Sequence, residues 1–383
     1  MEKQIIVFGD THYSKNWDTI DQCLKQIPHP SEKYLNPNQE LRKFVELINQ
    51  SPHVEAVINN GDSIDYHFSD FIFPLSLLKN RRDSERISNW ELFNSVIDRL
   101  KKQYMAIPGN HDYRKEAYNY AIWGTDHINL SKATRRKFKH QIGHQTFRGP
   151  WELASVMVNE KRFDPLTKGR HLKRREDIRI ARYHCIFLDS GSDAFVRAAN
   201  FLKYLKKIFE TRMISYDSDG LNQDDLNYLS QALSKNISRD ILIFQHAPLI
   251  NPQKTCIGKE YQLSIDTFDE LTRKQKISYD TILNGGGELL KILKNTDKNI
   301  VLISSHIHNA KYFLIDKKSL SAKEVSNREF NRERETADII KQITTLPLGG
   351  IYPRVGGNKI GFLKISTNGF EEQILHNFSD TGK

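Results

Sequence analysis

The feature that most restricts the fold of this chain is a series of short runs rich in β-branched and aromatic residues, which recurs from the start of the sequence to about residue 300. The six runs are residues 5–8, 54–58, 104–107, 185–188, 241–244 and 300–303. Their length and composition predict buried strands. Helical patterns lie between several of them, at residues 39–48, 90–101, 223–233 and 288–294. This alternation indicates an α/β protein whose sheets are covered by helices.

The rest of the chain predicts further strands and three interruptions. Residues 360–366 and 370–375 flank Asn368-Gly369, a dipeptide typical of tight hairpin turns. The C-terminal region, residues 311–383, is therefore expected to supply strands that complete a sheet. Insertions at loops are expected at residues 113–182, 190–220 and 317–338. Because no long linker divides the chain, residues 1–383 are expected to form one domain.

The second insertion carries an amphipathic pattern. Its apolar residues recur at steps of three and four, as Phe195, Ala198, Leu202, Leu205 and Phe209. This spacing places them on one stripe of a helix. Such stripes usually dock on the parent core, so we predict a surface helix rather than a membrane contact.

Composition excludes several classes of protein. Hydrophobic residues make up 38% and charged residues 27% of the 383 residues, which is typical of globular proteins and not of disordered or fibrous chains. No apolar run approaches the roughly 18 to 20 residues that cross a bilayer. The three cysteines, Cys23, Cys185 and Cys256, are widely spaced, which favours a reducing compartment over a disulfide framework. We therefore expect a cytoplasmic location and no integral membrane segment.

Positive charge is concentrated in one part of the sequence. Residues 132–182 contain 15 basic and five acidic residues, an excess equal to the formal net charge of +10 of the whole chain. A surface of this kind attracts partners that carry phosphate groups. Charge clusters also occur in solvated insertions that only aid solubility, so both interpretations stand for this segment.

Residues of metal-ligand types follow five of the six predicted core strands. They are Asp10 and His12, then Asp62 and Asp65, then Asn110, His111 and Asp112, then His246, and finally His306 and His308. Ligands of open α/β sheets bind outside the carboxyl ends of the strands. Each residue alone is equally typical of a turn. Together, the mixture of carboxylate, amide and imidazole groups predicts a site for divalent metal ions.

In these blocks the sequence resembles the calcineurin-like metallophosphoesterases. The family pattern is Asp-x-His, Gly-Asp-x-x-Asp, Gly-Asn-His-Asp/Glu, an isolated His after a strand, and Gly-His-x-His. The corresponding blocks occur in the same order, as Asp10-Thr11-His12, Gly61-Asp62-Ser63-Ile64-Asp65, Gly109-Asn110-His111-Asp112, Gln245-His246-Ala247-Pro248 and His306-Ile307-His308. One position departs from the pattern, because Ser305 stands in place of the last Gly.

The resemblance implies a four-layer α/β/β/α sandwich of two mixed sheets flanked by helices, with the insertions outside it. It also implies two divalent metal ions, with Mn²⁺ preferred and Fe, Zn, Co or Ni as alternatives. The implied ligands are Asp10, His12, Asp62 and His308 for one ion, and Asp62, Asn110, His246 and His306 for the other. Asp62 would bridge the two ions.

Two further residues receive roles from the same resemblance. His111 would be the general acid that protonates the leaving oxygen. Asp65 would orient the imidazole of His111. The alternative for Asp65 is a carboxylate at the N-terminus of a helix, stabilised by the helix dipole. No role is assigned to Asp112.

The implied function is hydrolysis of a phosphodiester or phosphomonoester by in-line attack of a metal-bridged water or hydroxide. The expected partner is an anionic phosphoester. Protein serine/threonine phosphatases carry other residues at the positions of Tyr66, His67 and Asp112. Purple acid phosphatases carry another residue at the position of Asp65, so both subgroups are disfavoured. One alternative is a nuclease in which residues 132–182 follow a DNA or RNA backbone. Another is a metal-binding module without turnover, which the intact ligand set argues against.

Overall fold

The computed structural model describes residues 2–15, 17–18, 21, 35–68, 87–114, 164–191, 220–250, 255–265, 285–333, 336–349 and 359–377. The strands are β1 Gln4–Phe8, β2 Val54–Asn59, β3 Gln103–Ala106, β4 Arg175–Ile180, β5 Tyr183–Leu188, β6 Asp240–Phe244, β7 Glu260–Gln262, β8 Asn299–Ser304, β9 Lys311–Asp316, β10 Ser321–Val325, β11 Ile339–Thr344, β12 Lys359–Ser366 and β13 Gly369–Asn377. The α-helices are α1 Pro37–Gln50, α2 Asn89–Ile97, α3 Gln223–Lys235, α4 Gly286–Lys294 and α5 Asn327–Arg332, and short 3₁₀ turns cover His111–Tyr113 and Pro165–Thr167.

The strands form two mixed sheets. Among the residues described, one has five strands in the order β13-β12-β1-β2-β3, and the other has eight in the order β4-β5-β6-β8-β11-β9-β10-β7. Strands β1, β2 and β3 are parallel, as are β5, β6, β8 and β11, whereas the flanking strands run antiparallel. The centre of each sheet therefore presents several carboxyl ends at one edge.

Side-chain alternation along the strands divides the core into three layers. In β1, Ile5 and Val7 pack between the two sheets, while Ile6 and Phe8 pack against helices. Strands β5, β6 and β8 alternate in the same way. Helices α1 and α2 cover the five-stranded sheet, and α3 and α4 cover the eight-stranded sheet. The predicted four-layer α/β/β/α sandwich is confirmed.

All four predicted helices are present, although α2 ends at Ile97 rather than at residue 101. A side chain of α1 accounts for the early end. Asn49 donates to the carbonyl of Arg99 at 2.8 Å and accepts from the N–H of Lys101 at 2.7 Å. These backbone groups are thus satisfied without another helical turn. None of the helices in the described ranges is long and apolar enough to cross a bilayer.

The expectation that residues 317–338 form a loop insertion is wrong, because this segment contains β10 and α5. Strand β10 pairs with β9 and β7 inside the eight-stranded sheet. The buried ammonium of Lys341 donates to the carbonyls of Phe330 and Glu333, at 2.8 and 2.6 Å, and so satisfies the end of α5. The strand was hidden because its charged residues are paired within the fold, as in the contact between Glu324 and Lys311.

The predicted C-terminal hairpin is confirmed: β12 and β13 pair across Asn368-Gly369, with Gly369 at φ 118°. The insertions at 113–182 and 190–220 stay predictions, because residues 115–163 and 192–219 lie outside the described residues. The end of the first predicted insertion belongs to the sheet, since β4 pairs with β5 as an edge strand.

Candidate metal centre

The residues that follow strands of both sheets come together at one end of the sandwich. Asn60 holds the two sheets in register there, because its side-chain Nδ2 lies 3.3 Å from the carbonyl of Gln245 and 3.2 Å from that of Ile303. Its own carbonyl lies 2.9 Å from Nδ1 of His246. This contact sets the orientation of the His246 ring and leaves Nε2 facing the centre.

One group of ligand types consists of Asp10, His12 and His308, whose ligand atoms all lie within 4.8 Å of one another. Nε2 of His308 is 3.7 Å from Oδ1 of Asp10 and 3.1 Å from Nε2 of His12. The first two residues follow β1 and the third follows β8. The group therefore draws its side chains from both sheets.

A second group consists of Asp62, His246 and His306, whose ligand atoms also lie within 4.8 Å of one another. Nε2 of His246 is 3.2 Å from Oδ2 of Asp62 and 3.1 Å from Oδ1 of Asn110. The same Oδ2 of Asp62 also lies 3.7 Å from Nε2 of His12. The Asp62 carboxylate thus faces both groups.

His111 lies beside these groups, at the start of a 3₁₀ turn. Its N–H donates to Oδ1 of Asp62 at 2.8 Å. Its ring Nδ1 is 3.0 Å from Oδ1 of Asp65 and 2.9 Å from Nη1 of Arg114. The same Asp65 oxygen is 3.7 Å from Nδ1 of His12. Asp65 therefore faces two imidazoles. Because residues 60–68 contain no helix, Asp65 does not lie in the first turn of one.

The backbone at five of these residues is strained. Their φ angles lie in the left-handed region, at Asp10 49°, His12 47°, Asp62 53°, His306 73° and His308 53°. This region costs residues with a Cβ roughly 1 to 2 kcal/mol each. Such strain persists only where the surrounding structure enforces it, and it is concentrated at functional sites.

Two loops of the centre are tied together by Asp112, to which the sequence assigned no role. Its buried carboxylate accepts from the N–H of Ile64 at 3.1 Å and from the N–H of Gly109 at 2.8 Å. A Cβ on Gly109 would lie 2.2 Å from the backbone nitrogen of Asp62. The glycine is therefore required by close approach of the two loops. In the sequence, Asp112 was marked only by its place at the end of the Gly-Asn-His-Asp/Glu block.

Burial and neighbouring charges perturb the titration of the centre. Burial raises the pKa of Asp10 to about 6, although His246 partly offsets this effect. Burial also acts to raise the pKa of Asp62, but His246 and His111 outweigh it and hold that pKa well below its ordinary value. For His246, burial opposes protonation, yet Asp62 raises the pKa to about 9. Burial, with a smaller contribution from His12, holds the pKa of His308 well below its ordinary range.

The donor set fits divalent cations. Two separations between a carboxylate oxygen and an imidazole nitrogen, for Asp10 with His308 and for Asp62 with His12, are both 3.7 Å, which exceeds hydrogen-bond length. Two ligands that are each about 2.1 Å from a shared ion lie roughly 3 to 4 Å apart. Carboxylate, amide and imidazole donors suit Mn, Fe, Zn, Co and Ni alike.

Solved structures with the most similar chain traces include several phosphoesterases. A dimetal phosphatase from Danio rerio is 12% identical with a TM-score of 0.47, over 98% of this chain and 99% of the other. A purple acid phosphatase from yellow lupin (Lupinus luteus) seeds is 11% identical with a TM-score of 0.46, over 100% of this chain and 52% of the other. A metallophosphoesterase from Sphaerobacter thermophilus is 9% identical with a TM-score of 0.35, over 100% of this chain and 91% of the other. At these TM-scores the likeness does not identify a function.

Sequence comparison is more decisive. No curated protein sequence matches the chain at a significant level. A model of the calcineurin-like phosphoesterase family matches residues 3–340, which contain all five blocks that bear the resemblance. Since the match spans most of the chain, the protein belongs to the calcineurin-like phosphoesterase family.

Proposed function

We propose that this protein hydrolyses phosphoesters with a pair of divalent metal ions held by Asp10, His12, Asp62, Asn110, His246, His306 and His308. The observation that supports it is a pair of ligand groups, each with its ligand atoms within 4.8 Å of one another, of which the second contains Asp62. Oδ2 of Asp62 also lies 3.7 Å from Nε2 of His12 in the first group. A single carboxylate that faces both groups is suited to bridging two ions.

When bound, two such cations would neutralise the non-bridging phosphoryl oxygens and lower the pKa of a coordinated water. The chain itself supplies the ligands' orientation. Nδ1 of His246 is tied to the carbonyl of Asn60, and the N–H of His306 donates to the carboxylate of Asp10 at 3.1 and 3.0 Å. Outer contacts of this kind fix ring orientation and tune metal ligands.

His111 is assigned to general acid catalysis. In its protonated form, Nδ1–H can be held by Asp65 at 3.0 Å, which leaves Nε2–H for the leaving oxygen of the substrate. Burial, followed by the nearby Arg114 guanidinium, lowers the pKa of His111. A lowered pKa makes the imidazolium a stronger acid, so it releases its proton more readily to the leaving group.

The test is hydrolysis of p-nitrophenyl and phenyl phosphodiesters and phosphomonoesters by protein reconstituted with Mn²⁺, with and without EDTA. Wild type is expected to be active only with metal. His111→Ala is expected to lose about 10²- to 10⁴-fold on the phenyl esters, whose leaving group needs protonation. The control is His53→Ala, which changes an exposed histidine. Activity that survives chelation, or equal turnover of His111→Ala and wild type, would contradict the proposal.

The same screen tests which class of phosphoester is the substrate and which metal is bound. Comparing monoesters with diesters sets the substrate class, and reconstitution with Mn²⁺, Zn²⁺ or Fe²⁺ in parallel sets the metal, for which we propose Mn²⁺. We also propose a reducing, cytoplasmic location, which is consistent with the buried free thiol of Cys185 and the exposed free thiol of Cys256.

A nuclease is the second candidate, and one observation favours it. Arg114 and Asp164 are the described residues on either side of residues 115–163. Nη1 of Arg114 contacts the ring of His111, and Asp164 is linked through Arg174 to Tyr113. Residues 115–163, which carry part of the basic sequence, are thus flanked by one residue that contacts His111 and one that joins the network of Tyr113. If it binds a nucleic-acid backbone, log affinity should fall with log salt by about 0.9 per phosphate contact on duplex DNA. Binding insensitive to salt would eliminate this candidate.

A further inference from the structure

A hydrogen-bond network outside the metal centre begins two residues after His111. The hydroxyl of Tyr113 donates to Oδ2 of Asp189, just beyond the end of β5. Nε of Arg174 donates to the same oxygen at 3.0 Å, and the N–H of Gly191 donates to Oδ1 at 2.8 Å. The Asp189 carboxylate is only 5% exposed. Three donors converge on this one buried acceptor, which makes the contact strong and directional.

The other side of the network is anchored as well. Nη2 of Arg174 lies 3.4 Å from the Tyr113 hydroxyl and 3.3 Å from Oδ1 of Asp164. The backbone N–H of Asp189 donates to the carbonyl of Arg174 at 3.0 Å. Tyr113 is therefore held by a frame that includes the strand end of β5 and the segment that leads into β4.

The 3₁₀ turn His111–Tyr113 connects this frame to the metal centre. It has only three residues, so its orientation depends on what holds its two ends. At one end the N–H of His111 donates to Asp62, and at the other the hydroxyl of Tyr113 donates to Asp189. The middle residue, Asp112, accepts from the N–H groups of Ile64 and Gly109. Removal of the Tyr113 contact therefore releases the far end of the turn, while the near end stays attached to Asp62.

We propose that Tyr113, held by Asp189 and Arg174, is a positioning residue for His111. This inference rests on the proposed function, in which His111 protonates the leaving oxygen. Nδ1 of His111 has two neighbours of opposite charge at almost equal distances, Asp65 at 3.0 Å and Arg114 at 2.9 Å. A small rotation of the turn would favour one contact over the other and move Nε2 out of reach of the leaving group. Misplacement by about 1 Å can cost up to 100-fold in rate.

The test compares Tyr113→Phe with wild type on p-nitrophenyl and phenyl esters of the same phosphate. The nitrophenolate leaves without protonation, whereas phenolate depends on the general acid. We expect kcat to fall about tenfold or more on the phenyl ester and less than about twofold on the nitrophenyl ester, with KM and bound metal unchanged. The matched control is Tyr228→Phe on α3, which removes another Tyr–Asp hydrogen bond, the one of 2.6 Å to Asp177 of β4. Tyr228→Phe should leave kcat unchanged on both esters.

Asp189→Asn is the second variant and should show the same selective loss, because it weakens the same contact. An equal loss on both esters, or no loss on either, would overturn the positioning role while leaving the metal-dependent hydrolysis intact. If wild type shows no metal-dependent hydrolysis of any ester, the proposed function itself has failed, and the inference falls with it.

Discussion

Nε2 of His12 lies 3.1 Å from Nε2 of His308, across 296 positions of sequence. The two nitrogens also face carboxylates, Asp62 and Asp10 respectively, each at 3.7 Å. Because burial and His12 hold the pKa of His308 well below its ordinary value, its imidazole is neutral and available as a ligand near pH 7. Two imidazoles and two carboxylates arranged in this way suit one shared cation.

Replacement of His308 should remove one metal site and spare the other. His308→Ala takes a ligand from the group of Asp10 and His12 but not from that of Asp62, His246 and His306. Bound Mn²⁺, measured by plasma mass spectrometry after dialysis, should fall from about two ions per chain toward one, because losing even an outer partner costs about 10- to 100-fold in affinity. His53→Ala should keep both ions. Retention of two ions by His308→Ala at wild-type affinity would argue against this grouping.

Replacement of Asp65 should affect catalysis more than substrate binding. Oδ1 of Asp65 lies 3.0 Å from Nδ1 of His111, where it would stabilise the protonated ring that we propose as the general acid. Asp65→Asn should therefore lower kcat about 10- to 100-fold with little change in KM. Loss of the negative charge lowers the pKa of His111, so the alkaline limb of the pH–rate profile should move to lower pH. The control is Asp98→Asn, which removes an exposed pair with Arg170. A pH profile identical to that of wild type would exclude this role.

Metal should stabilise the protein more at pH 8 than at pH 6. In the metal-free protein the pKa of Asp10 is raised from 3.8 to about 6, and that of His246 from 6.5 to about 9. Because both groups hold their protons more tightly in the folded protein, the stability that these protons contribute is complete at low pH. It is lost as pH rises through about 6 for Asp10 and then about 9 for His246. Metal ions must displace the same protons, so their binding strengthens with pH.

The measurement is the difference in Tm between samples with Mn²⁺ and with EDTA at each pH. We expect this Tm difference to be larger at pH 8 than at pH 6 in wild type. In His308→Ala it should be smaller than in wild type at both pH values. A difference that is equal at the two pH values, or larger at pH 6, would show that these protons do not compete with the metal.

Asn60→Ala should destabilise the metal-free fold itself. The Nδ2 group of Asn60 lies 3.2 to 3.3 Å from the carbonyls of Gln245 and Ile303 and from Oγ of Ser305, all of them buried. The carbonyl of Ile303 and the hydroxyl of Ser305 keep other partners, Gln245 N–H and Thr345. The carbonyl of Gln245 loses its donor, and an unsatisfied buried acceptor costs about 1 to 3 kcal/mol. Urea unfolding in EDTA should show this loss. Asn49→Ala, which removes two contacts at the protein surface, should cost less; equal losses would mean that Asn60 does not join the sheets.

The ligand blocks and most central strands could be predicted from the sequence because both are local signals. A buried strand is recognised by its own apolar residues, and Asp10 and His12 follow β1 within the same short segment. The peripheral strands β7 and β10 carry polar and charged residues, so local patterns did not reveal them. Lys311 and Glu324 look solvated in sequence, whereas they pair across the sheet.

The inventory of the centre can be read from the amino-acid sequence: the residue types, their order, and their positions after strands. Which of these residues meet depends on long-range packing, since the contacts of His308 with His12, of Asn60 with His246 and of Tyr113 with Asp189 all join distant segments. Local periodicity depends on neighbours in the chain. Docking of one sheet on the other depends on the packing of the whole core, and it is this docking that brings the ligands within reach of one another.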